Sequence, residues 1–443
     1  MPASVSRREL LKWASAGAGA AAVGGATWMV GRSDADHMAP NPRATSTSSS
    51  GTNAPRTTAV APAAIAAVGD LSQRLLVVVE MGGGNDGMST LVPYGMSGYY
   101  DLRQRTAVSE TDVLPLDDQV GFHANLANIH RRGAAVLQGV GSSTPDGSHF
   151  EMMARWWSGD PVNSRSFDTG FLGRLADAIG DPAAAAVAVS VGSSSHPALL
   201  SKKVGTLAIP NADAIGYVVG AADDDTLRQA FQRGFAAFGE GAGGGAPGGF
   251  EELLRAVRAQ TVQFAGTVGE FGEEGDGGYP DDSFGQGLRL AAQLLSVDLG
   301  VRIVHVPMNQ DFDTHDDHSG RHPDLMKALD TSLEALFVDL EARGLSDRVL
   351  VMTTSEFGRT ARDNASAGLD HGTASVAMLM GPVNAGLYGE HPSLTDLDEN
   401  SDLVATVGFD QYYATVADGW FGVPASDVLN STPEALTGVF RTA

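Results

Sequence analysis

Carboxylate and imidazole side chains recur in four short stretches of this chain: Gly82-Gly83-Gly84-Asn85-Asp86-Gly87, Asp311-Phe312-Asp313-Thr314-His315, Ser355-Glu356-Phe357-Gly358-Arg359 and Asp370-His371-Gly372. Oxygen and nitrogen donors of this kind can hold a divalent cation, which polarises an ester and stabilises the charge that builds up as it is cleaved. Asp86 follows an apolar run across a glycine turn that lets backbone and ligand approach closely. Asp313 and His315, two residues apart, share one side of an extended segment. Asp311 is a second candidate there. His318 and His322 open a helix and read as solvated polar residues. Glu356 ends a strand and offers a further carboxylate. Arg359 follows it with a guanidinium suited to gripping an anion in two places. Asp370 and His371 precede another strand, with the carboxylate as co-ligand or as orienter of the imidazole.

A nucleophile candidate lies in Gly141-Ser142-Ser143-Thr144-Pro145-Asp146-Gly147-Ser148-His149-Phe150-Glu151. Ser148 stands at the amino end of a predicted helix, where negative charge on an alkoxide is favoured. Ser148 with Glu151 also matches a capping box, so the same serine can serve the helix alone. His149 is an alternative acid, base or ligand.

These stretches need a scaffold that gathers them. Apolar, β-branched runs at Leu75-Leu76-Val77-Val78-Val79, 134–137, 186–189, 302–306, 349–352 and 376–380 suit strands covered on both faces. Helical patterns at 150–157, 288–299 and 325–343 fall between several of them. Strands alternating with helices predict an α/β fold with a mostly parallel sheet between helix layers, and such sheets place ligand sites at the carboxyl edge of their strands.

The flanks differ. Ser6-Arg7-Arg8-Glu9-Leu10-Leu11-Lys12 resembles a twin-arginine export motif and precedes an Ala/Gly-rich stretch, so residues 1–33 are expected to act as a signal segment read by the twin-arginine translocation machinery. Residues 34–71, rich in Ser, Thr, Pro and Ala, read as a disordered tether. The folded domain is expected over 72–443, with a glycine-rich helical insertion at 223–282. Secretion, or a periplasmic or envelope location, follows, with membrane contact only through an uncleaved leader.

Composition narrows the chemistry. With 29 basic against 53 acidic residues the net charge is −24, which disfavours nucleic acid as a partner. The chain has no cysteine, which removes disulfides, thiolate metal sites and a cysteine nucleophile. Any metal must use carboxylate and imidazole, which favours zinc or manganese and allows calcium.

The ordered series of leader, Gly83-Gly84-Asn85-Asp86-Gly87, Ser148-His149-Phe150, Phe312-Asp313-Thr314-His315, Ser355 to Thr360 and Asp370-His371-Gly372 resembles a bacterial family of twin-arginine-exported proteins of unknown function within the alkaline phosphatase and sulfatase superfamily. The resemblance implies an alkaline-phosphatase-like three-layer α/β/α sandwich. It also implies Ser148 as nucleophile and Asp86, Asp313, His315, Glu356 and His371 as metal ligands. Glu356-Phe357 stands where the superfamily carries Asp-His, a departure that removes one nitrogen ligand. The expectation is an exported metal-dependent hydrolase of phosphate or sulfate esters; the alternative is a non-catalytic binding or structural protein that keeps the fold.

Overall fold

The structure, a computed structural model, describes residues 71–163, 167–182, 184–211, 264, 267–268, 271 and 277–441. The leader, the tether and most of the 223–282 insertion lie outside the described residues. The chain divides after Ala66, and the described residues belong to the second unit, Ala67–Ala443. Among them no helix is long and apolar enough to cross a membrane.

All six predicted apolar runs form strands of one nine-stranded sheet. In chain order its members are β1 (Leu75–Glu80), β5 (Ala135–Gly141), β6 (Ala188–Val191), β7 (Thr206–Ile209), β8 (Ile303–Pro307), β9 (Val349–Thr354), β10 (Ser375–Met380), β11 (Gly386–Tyr388) and β12 (Val407–Gly408). A separate small sheet holds β2 (Leu91–Val92), β3 (Val113–Pro115) and β4 (Gly121–His123). The large sheet runs in the order β11-β5-β10-β9-β1-β8-β6-β7, with β12 also on β5. Strand β1 is parallel to both β8 and β9, which makes it the centre.

The layers follow from the two-residue period of a strand. In β1, Leu75, Val77 and Val79 face one apolar cluster, shared with the helices Ser283–Ser296 (α3) and His318–Ala342 (α4). Leu76 and Val78 face the other, shared with His149–Ser158 (α1) and Phe171–Ile179 (α2). The protein is thus a three-layer α/β/α sandwich, and each fully buried Leu or Val adds about 1.5–3 kcal/mol of transfer free energy. Helix α4 opens at His318, as expected of His318 and His322, but both side chains are buried, at 1% and 2% exposure, rather than solvated.

One strand departs from the parallel expectation. Strand β10 is antiparallel to both β5 and β9. Its beginning therefore lies at the edge where β1, β8 and β9 end, and β5 ends there too, since Val140 pairs with Ser375. The segments after β1, β5, β8 and β9 and the segment before β10 all open onto this one edge.

A buried carboxyl near that edge gives a stability prediction. Asp402 is 7% exposed, its Oδ1 has no partner among the described residues, and burial together with the neighbouring Asp398 charge pushes its pKa up to about 6. The folded state binds this proton more tightly than the unfolded chain, so the contribution is present below about pH 4 and is lost as pH rises through 6. Asp402→Asn is expected to be more stable than the parent at pH 8 by about 1–2 kcal/mol and equal to it at pH 3.5. Urea midpoints at the two pH values check this; an equal offset at both would contradict it.

Candidate metal centre

The glycine loop after β1 sets the floor of the site. Gly83 and Gly84 have φ of 111° and 83°, a region that disfavours side chains. A Cβ on Gly83 would lie 2.5 Å from the Asp313 nitrogen, and one on Gly84 would lie 2.5 Å from the Phe357 ring. The loop therefore packs directly under the 312–313 and 357–359 segments, and only glycine fits there.

Above this floor three imidazoles converge on one carboxylate. His371 Nε2 is 3.2 Å and His315 Nε2 3.1 Å from Asp313 Oδ1, while His149 Nε2 is 3.6 Å from Asp313 Oδ2. The ligand atoms of His149, Asp313 and His371 all lie within 4.8 Å of one another. A tetrahedral ion with bonds of about 2.0–2.1 Å would separate its ligand atoms by about 3.3 Å, close to these spacings.

The other nitrogen of each ring is committed to an acceptor. His371 Nδ1 lies 2.7 Å from the Gly147 carbonyl, His315 Nδ1 2.8 Å from Asp370 Oδ1, and His149 Nδ1 2.8 Å from Glu356 Oε1. Both nitrogens of each ring thus face an acceptor, and the shorter Nδ1 contacts claim the single proton of the neutral ring, which leaves the Nε2 lone pair toward Asp313. The bare Nε2 atoms of His315 and His371 then face each other at 2.8 Å. Two lone pairs at that distance repel unless a proton or cation lies between them. Outer acceptors on every imidazole are the arrangement that orients metal-bound histidines. The residues present fit a divalent cation.

Electrostatics support the ligand forms unevenly. Burial works to raise the Asp313 carboxyl, but the Arg359 hydrogen bond and charge outweigh it and hold it below its ordinary value. The Glu356 hydrogen bond raises His149 above an ordinary imidazole, so a cation must displace a firmly held proton there, and loading weakens in acid. The side chains of Asp313, His149 and His371 remain 32%, 26% and 22% exposed, which leaves the outer face open to solvent.

Of the residues expected to ligate, Asp313, His315 and His371 come together, and His149 joins them. Three others do not converge. Glu356 receives His149 Nδ1 and the Gly83 N–H on the same oxygen, both at 2.8 Å, and so stands behind His149. Asp370 receives His315 and Asn364 Nδ2. Asp86 is buried away from the cluster in a two-point pair with Arg103, at 2.9 and 3.0 Å. Its other neighbour is His318, whose Nδ1 is 2.8 Å from Thr314 Oγ1, between Asp313 and His315. Asp86 thus reaches the centre indirectly, through His318 and Thr314 on one side and through Arg103, Thr360 and Asp370 on the other.

Arg359 was expected to face an anion and is instead 1% exposed. Its donors go to the carbonyls of Gly83, Gly84, Leu369 and Phe312 and to Asp313 Oδ1 at 2.6 Å. Ser148 is exposed and caps α1, its Oγ 3.5 Å from the Glu151 nitrogen. The reciprocal half of the capping box is absent: the Ser148 N–H goes to Asp146, and Glu151 pairs with Arg155. Gly147 and His149 both touch the cluster, so Ser148 lies at its rim. Beside Asp370, Asn364 also lines a polar depression of about 340 Å³ with Arg105, Arg362 and Asp363.

A second group, Glu80, His196 and His305, also brings metal-type ligands together. No sequence signal marked it: of the three residues only His305 fell inside a predicted strand, 302–306.

Residues 123–428 match the family described as "Protein of unknown function (DUF1501)", and the chain belongs to that family. No curated protein sequence matches it. Among solved structures it is similar to the lipoteichoic acid synthase LtaP from Listeria monocytogenes, at 10% identity and TM-score 0.37, covering 82% of this chain and 78% of that one. It is similar to a sulfatase from Pseudoalteromonas sp., at 10% identity and TM-score 0.34, covering 82% and 73%. A protein in the alkaline phosphatase superfamily from Vibrio parahaemolyticus matches at 9% identity and TM-score 0.36, covering 81% and 68%.

Proposed function

We propose that this protein is an exported metal-dependent hydrolase of phosphate or sulfate esters. The observation that carries the reading is the convergence of three Nε2 lone pairs on Asp313, each ring oriented by an acceptor at Nδ1. His149, Asp313, His315 and His371 would hold the cation, with Glu356 and Asp370 as outer partners rather than ligands. Zinc suits three imidazoles and one carboxylate best, and manganese is the next choice; a calcium site would call for more oxygen ligands. When bound, the cation supplies Lewis acidity toward the ester oxygens.

The chain's own groups supply the rest. Ser148 Oγ, exposed at the rim, would form the bond to phosphorus or sulfur as the bond to the leaving oxygen breaks, its proton passing through solvent to that oxygen, and water would then hydrolyse the seryl ester to free the serine and release phosphate or sulfate. Its place at the start of α1 favours negative charge on that oxygen. Arg359 would position Asp313 and the glycine loop, since its guanidinium is already committed to them. Arg105 and Arg362, in the adjoining depression, offer positive charge to the ester's anionic group.

One observation favours the non-catalytic reading: the hydroxyl of Ser148 already caps a helix and needs no further role. Chelation and re-addition of metal against aryl phosphates and sulfates, with the parent and Ser148→Ala, separates the two. The enzyme reading expects metal-restored turnover in the parent and its loss in S148A with metal content intact. No turnover under any metal would support a binding protein.

Glu356→Gln tests the outer partners. The amide keeps the shape but loses the charge that orients His149, so metal affinity is expected to fall roughly 10–100-fold with the fold unchanged. A competition titration with a chromophoric chelator reads this; an unchanged affinity would mean that Glu356 does not act through His149.

A further inference from the structure

Glu80 closes β1, and the two-residue period turns it to the same face as Leu76 and Val78, toward α1. His305 on β8 points to that face as well, in step with Ile303. His196, from the segment after β6, completes a group on the α1 side of the sheet edge. His305 Nε2 and His196 Nε2 lie 3.2 and 3.3 Å from the same atom, Glu80 Oε2, and the two rings stack at 3.9 Å. Trp157 Nε1 reaches that oxygen at 3.1 Å.

We propose that Glu80, His196 and His305 form a second divalent-metal site, distinct from the His149–Asp313–His315–His371 centre and weaker than it. The nitrogen–oxygen separations match the roughly 3.3 Å expected between ligands of a tetrahedral ion with bonds of about 2.0–2.1 Å. His305 is 1% exposed, and its Nδ1 has no partner among the described residues, so Nε2, facing Glu80, is its one engaged ring nitrogen there. Burial pushes His305 toward its neutral, ligand-competent form. Burial would raise the Glu80 carboxyl, yet the hydrogen bonds from His196 and His305 outweigh it and hold it well below the ordinary range. Side-chain exposures of 20% for Glu80 and 15% for His196 provide an entry path.

The weakness follows from the outer atoms. Each imidazole of the first centre has an acceptor for its Nδ1 proton. Here His196 Nδ1 accepts from the Ala198 N–H at 3.3 Å, and His305 Nδ1 has no acceptor among the described residues. Binding a cation at Nε2 moves the proton to Nδ1 on both rings, so the turn Pro197–Leu199 must shift. Loss of such outer support typically lowers affinity about 10–100-fold. The geometry points to an exchangeable ion that loads after the first centre is filled.

The test is equilibrium dialysis of the metal-stripped full-length chain against zinc alone, with metal counted by mass spectrometry. The parent is expected to bind two ions whose affinities differ at least 10-fold. His196→Ala and the near-isosteric Glu80→Gln should each bind one and keep the tighter, while His371→Ala should keep the weaker. Cobalt quenching of tryptophan fluorescence in the weaker phase should be reduced by Trp157→Phe. A parent that binds one ion, or two ions retained in both H196A and E80Q, overturns the proposal. The inference is independent of the hydrolase reading: two ions in H371A and one in H196A would sink the first centre and leave this one standing. A parent that binds none sinks both.

Discussion

His371→Ala is expected to lose the tightly bound metal ion and to lower ester hydrolysis by about 10²–10³-fold, more than the roughly 10–100-fold typical of losing an outer partner. The reason is specific to its position. His371 Nε2 is 3.2 Å from Asp313 Oδ1 and 2.8 Å from His315 Nε2, and its Nδ1 is held by Gly147, one residue before Ser148. Its removal takes away a ligand and frees the loop that carries the nucleophile candidate. Because His371 is partly exposed, the fold should survive, with a urea midpoint close to that of the parent. Metal content and kcat/KM measured together check the prediction. Undiminished metal content and activity in H371A would show that the cluster is not the working centre.

Arg103→Ala is expected to produce the largest loss of stability, about 3–5 kcal/mol, because it strands a buried carboxylate. Arg103 and Asp86 are 0% and 1% exposed at their side chains. The guanidinium also donates to the carbonyls of Ala361 and Thr360, tying the glycine loop to the segment beyond Arg359. Burial would raise the Asp86 carboxyl, but Arg103 and His318 outweigh it and hold it well below the usual range. A depressed folded-state pKa contributes stability above the unfolded value near 4, and that contribution is lost as pH falls through the folded value. The deficit of R103A should therefore be full at pH 7 and shrink below about pH 4. Urea unfolding at both pH values measures it; a deficit under 1 kcal/mol at pH 7 would contradict the buried-pair account.

The strands were legible because their residues are buried on both faces, and a central strand with two covered faces is a continuous apolar run. Strand β7 was missed because its first three residues are only partly buried. The strands of the small sheet, two or three residues long, carry no period to detect. The antiparallel sense of β10 was not legible either, since a strand's direction leaves no mark on its composition. That sense is what brings His371 to the edge where β8 ends.

Within the site, Asp313, His315 and His371 were recognisable by residue type and by position beside strands. Asp86 looked equivalent, and nothing in Asn-Asp-Gly shows that an arginine 17 residues later will close over it. Arg359 misled for a related reason. A guanidinium can grip an external anion or several backbone carbonyls, and only the tertiary path of Gly83, Gly84 and Phe312 decides between them. The role of Glu356 depends on His149, 207 residues away, a pairing no local pattern encodes.

The most direct measurement is anomalous diffraction at the zinc edge from crystals of the zinc-loaded protein. The expected result is a strong peak bounded by His149, Asp313, His315 and His371, about 2.0–2.1 Å from their ligand atoms. Saturating zinc with no peak at that position would contradict the metal centre and the hydrolase built on it.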